Sequence, residues 1–151
     1  MPIRCEIVSQ DRTIFEGDAD IVVLPGGEGE MGILPNHSPL LTTLSFGVIR
    51  VRSGDQEDVY TVSGGIAEVQ PEIVTILADS AENVSEIDEA RAEAARERAE
   101  KYLAEGPPPD TDAYLRTEAA LRRSKLRLEA VRRYRGVKPR STVLPSIEDS
   151  A

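Results

Sequence analysis

The sequence is poor in the residues on which catalysis and metal binding depend. Its 151 residues include one cysteine, Cys5, one histidine, His37, and no tryptophan. A single cysteine excludes an internal disulfide and fits a reducing compartment. A zinc site built from Cys and His needs several such ligands at set spacing, so that class is excluded too. Cys5 and His37 are far apart in the chain, and only the fold could join them as a nucleophile and base. Cys5 lies in a strand-like stretch, where an inert core residue is the simpler reading. Aromatic residues make up 4% of the chain and the net charge is -9, which argues against base stacking and against nucleic acid as the main partner. Long apolar runs are also missing. Met1 to Phe15 lacks the apolar stretch of a secretory signal, and nothing approaches the roughly 20 apolar residues of a membrane span. The 27 acidic residues read as solvated surface, with no pair marked out for acid and base roles.

Hydrophobic residues at 40% suffice for a core in one medium domain, or in a smaller domain with an appendage. Charge is placed unevenly along it. Residues 1–86 carry 4 Lys+Arg against 15 Asp+Glu, whereas residues 111–140 carry 10 against 3, so an acidic front precedes a basic segment.

From Ile3 to about Asp79 the pattern is short, β-branched and punctuated. Ile3, Cys5 and Ile7 alternate with Arg4, Glu6 and Val8, Val48 to Arg52 alternates cleanly, and Val59 to Val62 and Ile73 to Leu77 are strand-like. Turn signals fall at Gly17 and Asp18, Gly26 and Gly27, Ser53 to Asp55, Gly64 and Gly65, and Pro71 and Glu72. This spacing predicts an all-β sandwich or barrel. Within it, Gly29 to Leu41 (GEMGILPNHSPLL) reads as a constrained loop presenting a fixed surface. Gly27, Gly29 and Gly32 spell Gly-x-Gly-x-x-Gly, but a dinucleotide site needs a helix opening at the last glycine, and Pro35 and Pro39 exclude one. His37 in this loop serves either a local backbone hydrogen bond or a contact with a partner protein.

The pattern changes at Ile87. Ile87 to Glu105 is rich in Ala, Glu and Arg and predicts a helix, with Ser85 as its cap, Asp88 and Glu89 in its first turn, and Glu97 and Lys101 as an i,i+4 pair. Ala90, Ala94, Ala95 and Ala99 would admit a second helix closely. Gly106 to Pro109 ends it. A second helix is predicted from about Ala113 to Tyr134, capped by Thr111 or Asp112, with Leu121, Ser124, Leu128 and Val131 on one face. A short connection makes the two an antiparallel hairpin, marginal by itself and able to detach. Residues 135–151 read as a disordered tail.

The arginines follow helical spacing. Asp88, Arg91, Ala95 and Arg98 share one face, as do Arg116, Ala120, Arg123 and Arg127. If the faces meet, guanidinium groups converge on one anion, and a phosphate chain suits their bidentate geometry, with Asp88 free for a neutral polar group. The same residues also fit a solvated face, or docking on an acidic protein surface.

Three stretches in order, Gly29 to Leu41, Ser63 to Val69 (SGGIAEV) and Val74 to Glu82 (VTILADSAE), resemble the epsilon subunit family of F-type ATP synthases, over about residues 1–134. The resemblance implies an α+β fold: an N-terminal sandwich of about ten strands over residues 1–86, then the hairpin over 87–134. It implies a non-catalytic subunit at the foot of the central stalk, bound to the gamma subunit and the c-ring. Such a subunit transmits rotation driven by proton or sodium flow, and lies peripherally at the cytoplasmic face of the bacterial plasma membrane, touching it only through the complex. Glu30, Met31 and His37 would meet the c-ring and gamma. Ile87 to Ala92 matches the Ile/Leu-Asp-x-x-Arg-Ala pattern of epsilon subunits that bind ATP in the folded hairpin. The implied contacts are Glu82, Ile87, Asp88, Arg91, Ala92, Arg98, Arg123 and Arg127, with ATP as a regulatory ligand and no cofactor required. The helices would also extend along gamma, where Arg116, Arg122, Arg123, Lys125, Arg127, Arg132 and Arg133 meet acidic beta (and alpha) subunit surface and inhibit ATP hydrolysis. Pro107 to Pro109 and the tail after Tyr134 depart from the family. Two rival readings are a stand-alone sandwich interaction module with a phosphate- or nucleotide-binding hairpin, and an enzyme acting on a phosphorylated substrate through Asp88 or Glu82.

Overall fold

A computed structural model describes residues 1–106 and 111–135. Eight strands come first: β1 (Ile3–Val8), β2 (Thr13–Ala19), β3 (Ile21–Gly26), β4 (Gly29–Ile33), β5 (Leu40–Ser53), β6 (Gln56–Val69), β7 (Ile73–Ala78) and β8 (Ala81–Asn83). They hydrogen bond in the order β2-β1-β7-β6-β5-β3-β4, with β8 also on β6. Alternation sets the buried face, since Ile3, Cys5 and Ile7 of β1 are each 0% exposed. They pack with Phe15 of β2 and Val74 and Ile76 of β7 against Leu24, Ile33 and Ile49 from β3, β4 and β5. Phe15 and Tyr60 meet across this core with ring centroids 5.9 Å apart, tilted as aromatic pairs prefer.

The described residues form eight strands, fewer than the expected ten or so, because β5 and β6 are each 14 residues long. Their ladder runs unbroken in direction from Leu40↔Val69 to Ser53↔Gln56. Gly64 and Gly65, predicted as a turn, lie inside β6 with φ of 97° and 139°, a bend that other residues adopt only under strain. The strand changes its outer partner there: Tyr60–Val62 pair with β8 and Gly65–Val69 with β7. A Cβ on Gly65 would sit 2.3 Å from the Leu77 carbonyl oxygen, so the close approach of β7 requires glycine. Gly17 and Asp18, also predicted as a turn, are inside β2. The β1–β7 pair is parallel and joins segments distant in sequence.

After β8 a 3-10 turn, Val84–Glu86, leads to α1 (Glu89–Ala104) and α2 (Thr111–Tyr134). Asp88, not Ser85, caps α1: its side chain accepts from the Arg91 N–H at 3.1 Å. Thr111 and Asp112, the expected caps, lie in the first turn of α2. α1 packs on α2, and α2 on β5, β6 and the 3-10 turn. Of the predicted small-residue face, Ala99 is buried, Ala94 and Ala95 are half-buried and Ala90 is exposed, and Ala92 is buried beside Ala99. Arg96, not Lys101, makes the intrahelical ion pairs, to Glu93 and Glu100. On α2, Ser124 and Val131 are buried as expected, joined by Ala130. The proline linker at 107–109 and residues 136–151 of the predicted tail lie outside the described residues.

Two apolar clusters result. The larger fills the sandwich. The smaller joins Val59, Val84, Ile87, Ala130 and Val131, with Val48 and Tyr134 against it, and seats α2 on the sandwich.

Candidate functional site

The site begins at the hinge between the two parts. Asn83 Oδ1 accepts from the Ser85 N–H at 2.9 Å and from its hydroxyl at 2.8 Å, fixing the 3-10 turn. Ile87 and Asp88 are extended, and helix α1 then opens. The Asp-x-x-Arg spacing has a local cause, because a capping carboxylate reaches the N–H three residues on. One Asp88 oxygen is thereby committed to the cap. Its carboxylate is thus less available to a ligand than the sequence suggests.

A cleft of about 550 Å³ lies along this opening turn, lined by Glu82, Glu86, Ile87, Asp88, Arg91, Ala92, Ala94, Ala95, Arg98 and Arg127. Seven of the eight residues expected to contact ATP line it, the exception being Arg123. Arg91 and Arg98 are exposed on α1, and Ala92, Ala94 and Ala95 form a small-residue wall beside them. Arg127 reaches over from α2, its Nε donating to Glu82 Oε2 at 2.8 Å. Arg123 instead lines an adjoining hollow that shares Glu82 and Arg127 with the cleft. Arg116 is exposed and lines neither. Three guanidinium groups therefore edge the cleft and a fourth stands beside it. Such an arrangement can hold a polyanion at one end and a flat, weakly polar group against alanine at the other.

Arg135, assigned to the tail by sequence, carries a contact that no motif signals. Its guanidinium donates to the carbonyl oxygens of Ile87 at 2.6 Å and Val84 at 3.3 Å, and lies 3.8 Å from Glu89 Oε2. The end of α2 is thus clasped to the hinge. Ala95, placed on this face by its spacing, lines the cleft, as do Glu86 and Ala94, which were not foreseen: Ala94 stands at helical spacing from Arg91 and Arg98, whereas Glu86 is brought there by the 3-10 turn.

The predicted loop from Gly29 is in part the edge strand β4, and only Leu34–Pro39 connects it to β5. Glu30 pairs with Arg50 at 3.1 Å. Met31 is partly buried against the sandwich core, leaving less of it for a partner than Glu30 offers. His37 Nδ1 lies 2.7 Å from the Ser38 carbonyl oxygen, the local bond weighed against partner contact. The connection is pinned where the Asn36 N–H donates to Pro71 O at 2.8 Å. Beside it the outer face of the sheet carries three exposed aliphatic side chains among Thr43, Glu68 and Thr75. Leu41, Ile66 and Leu77 are 71%, 46% and 55% exposed, and Ile66 and Leu77 are cross-strand partners.

The basic residues of α2 do not share one exposed face. Arg116, Lys125 and Arg132 are exposed. Arg122 lies over the Phe46 ring at 4.3 Å, Arg133 over Tyr134 at 5.4 Å, and Arg123 and Arg127 turn toward the hollows.

The two parts of the chain match two known domains in the same order. Residues 2–84 match the β-sandwich domain of the ATP synthase delta/epsilon chain, and residues 85–132 match its long α-helix domain. The chain belongs to the ATP synthase delta/epsilon chain family. It is similar to the ATP synthase epsilon chain of Dehalococcoides mccartyi, 45% identical over 133 residues that cover 88% of this chain and 94% of that one. The epsilon chain of Halalkalibacterium halodurans is 44% identical over 131 residues, covering 87% and 98%. Among solved structures, a chain of the Euglena gracilis mitochondrial ATP synthase, in an OSCP/F1/c-ring assembly, superposes with a TM-score of 0.71 at 30% identity, covering 85% and 80%. A chain of the Tetrahymena thermophila central stalk and c-ring shares the fold at a TM-score of 0.56 and 10% identity, covering 87% and 97%. Epsilon chains of this family are non-catalytic stalk subunits of the synthase. No described helix is long and apolar enough to cross a membrane.

Proposed function

We propose that the sandwich grips the rotor of an ATP synthase, contacting the gamma subunit and the c-ring, while the hairpin acts as a detachable regulator that binds ATP when folded. The observation that carries the regulatory part is the cleft where Glu82, Asp88, Arg91, Arg98 and Arg127 come together from the sandwich and both helices. A ligand there contacts both helices and the hinge at once, so it favours the folded hairpin by its differential affinity for that state. The Arg forks suit a triphosphate, and the alanine wall suits the ring of a nucleoside. The exposed Leu41, Ile66 and Leu77 face supports the rotor contact, since apolar residues grouped at a surface mark protein interfaces.

Inhibition of ATP hydrolysis belongs to the extended state. While α2 is docked, Arg122, Arg123 and Arg127 are turned to the sandwich and to Glu82. Release frees them to join Arg116, Lys125, Arg132 and Arg133 against acidic surface of the beta and alpha subunits. On this reading the chain lies peripherally at the cytoplasmic face of a bacterial plasma membrane, attached only through the complex. Calorimetry of the full chain with ATP tests the ligand. Arg91→Ala and Arg127→Ala should each weaken binding by about tenfold, the equivalent of one charge-assisted hydrogen bond. Heat indistinguishable from dilution in the unaltered chain would remove the sensor.

A further inference from the structure

On the far side of the Glu82–Arg127 pair lies a second, smaller hollow of about 170 Å³. Its walls include Arg12 from the connection between β1 and β2, Ser63, Ser80, Glu82, Arg123 and Arg127. We propose that this hollow is a phosphate subsite continuing the nucleotide cleft, and that Arg12 holds the terminal phosphate and so favours a nucleoside triphosphate over the diphosphate. The proposal rests on the ATP reading above and adds to it a residue from the sandwich.

Size and charge both point to a small anion. Pockets for whole drug-sized ligands run from roughly 300 to 1,000 Å³, so this hollow is too small for a nucleoside. Three guanidinium groups face one carboxylate, and that carboxylate is already engaged by Arg127 at 2.8 Å. The lining therefore carries an excess of positive charge, which favours an entering anion. Neutral donors complete the lining, since the Ser63 and Ser80 hydroxyls hydrogen bond to each other at its edge. Arg12 is presented from a closed turn: its carbonyl accepts from the Ser9 N–H at 2.9 Å and the Ser9 hydroxyl at 3.3 Å.

The two hollows share Glu82 and Arg127 as a common wall. A nucleotide seated on α1 can therefore pass its phosphate tail across Arg127 toward Arg123 and Arg12. Contacts made only by the last phosphate then fall on the sandwich itself. A triphosphate ties both helices to the sandwich, whereas a diphosphate ties the helices chiefly to each other. By linkage the triphosphate holds the hairpin down more firmly.

Calorimetry of the full chain with ATP and with ADP, for the unaltered protein, Arg12→Gln and Arg12→Lys, tests this. Arg12→Gln should weaken ATP binding by about tenfold and leave ADP binding unchanged, with Arg12→Lys recovering part of the loss. Thermal melting of the ligand-free variants should match the unaltered chain, because Arg12 is exposed. Equal losses for ATP and ADP, or no loss for either, would overturn the subsite while leaving the cleft as a nucleotide site. An unaltered chain that binds neither nucleotide would overturn both.

Discussion

Replacing Val131 with alanine strikes the small cluster that seats α2, and nothing in the sandwich core. Val131 is 4% exposed and packs with Val59, Val84, Ile87 and Ala130. The change removes the equivalent of two methylenes, at about 0.8 kcal/mol each, and leaves a small void, so docking should weaken by about 2 kcal/mol. At about 1.4 kcal/mol per factor of ten, the hairpin should open about 30-fold more often. Amide hydrogen exchange on the full chain reads this directly. Amides of α1 and α2 should exchange about 30-fold faster, because released helices of this length are marginal in water. Amides of β1 and β7 should be unchanged, since their side chains belong to the other cluster. Arg135→Ala, which frees the Ile87 and Val84 carbonyl oxygens, should act in the same direction. Equal acceleration of helices and sandwich would refute the reasoning, because it would make the chain one cooperative unit. Unchanged exchange in the helices would refute it too.

Two further outcomes follow from the sandwich. Gly65→Ala places a Cβ 2.3 Å from the Leu77 carbonyl oxygen at a φ of 139°, so thermal or denaturant unfolding should show a loss of about 3 kcal/mol or more. Leu77→Glu changes a residue 55% exposed, so stability should move by no more than about 0.5 kcal/mol, while co-purification with a gamma-type partner should fall sharply.

The division into an all-β front and a helical back was legible because each part has one unbroken period. Ile3, Cys5 and Ile7 alternate, whereas Ala95 and Ala99 of α1 and Ser124, Leu128 and Val131 of α2 recur at helical spacing. The cleft was legible for a related reason. Asp88, Arg91 and Arg98 share a helix face, and Arg127 was placed beside them by its own spacing and by the family pattern. What stayed hidden was non-local. The parallel pairing of β1 with β7 joins Arg4 to Ile73, which no local pattern encodes. Gly64 and Gly65 carry the chemistry of a turn, yet the ladder to β5 runs through them, because the bend they permit lets β6 exchange β8 for β7. Ser85 is a good capping residue, but Asn83 holds it in the 3-10 turn and leaves the cap to Asp88. Arg135 was invisible for the same reason: the Val84 and Ile87 carbonyl oxygens that it binds meet it only after folding.

The central claim is that a rotor-bound sandwich carries a hairpin that restrains the catalytic head when released and is held back by ATP when folded. The most direct measurement is the ATPase activity of the assembled synthase, with the full chain and with a chain ending after Glu86, each across a range of ATP concentrations. The truncated complex should assemble normally and hydrolyse ATP faster than the full one, with the difference shrinking as ATP rises. Identical activity of the two complexes at every ATP concentration would contradict it.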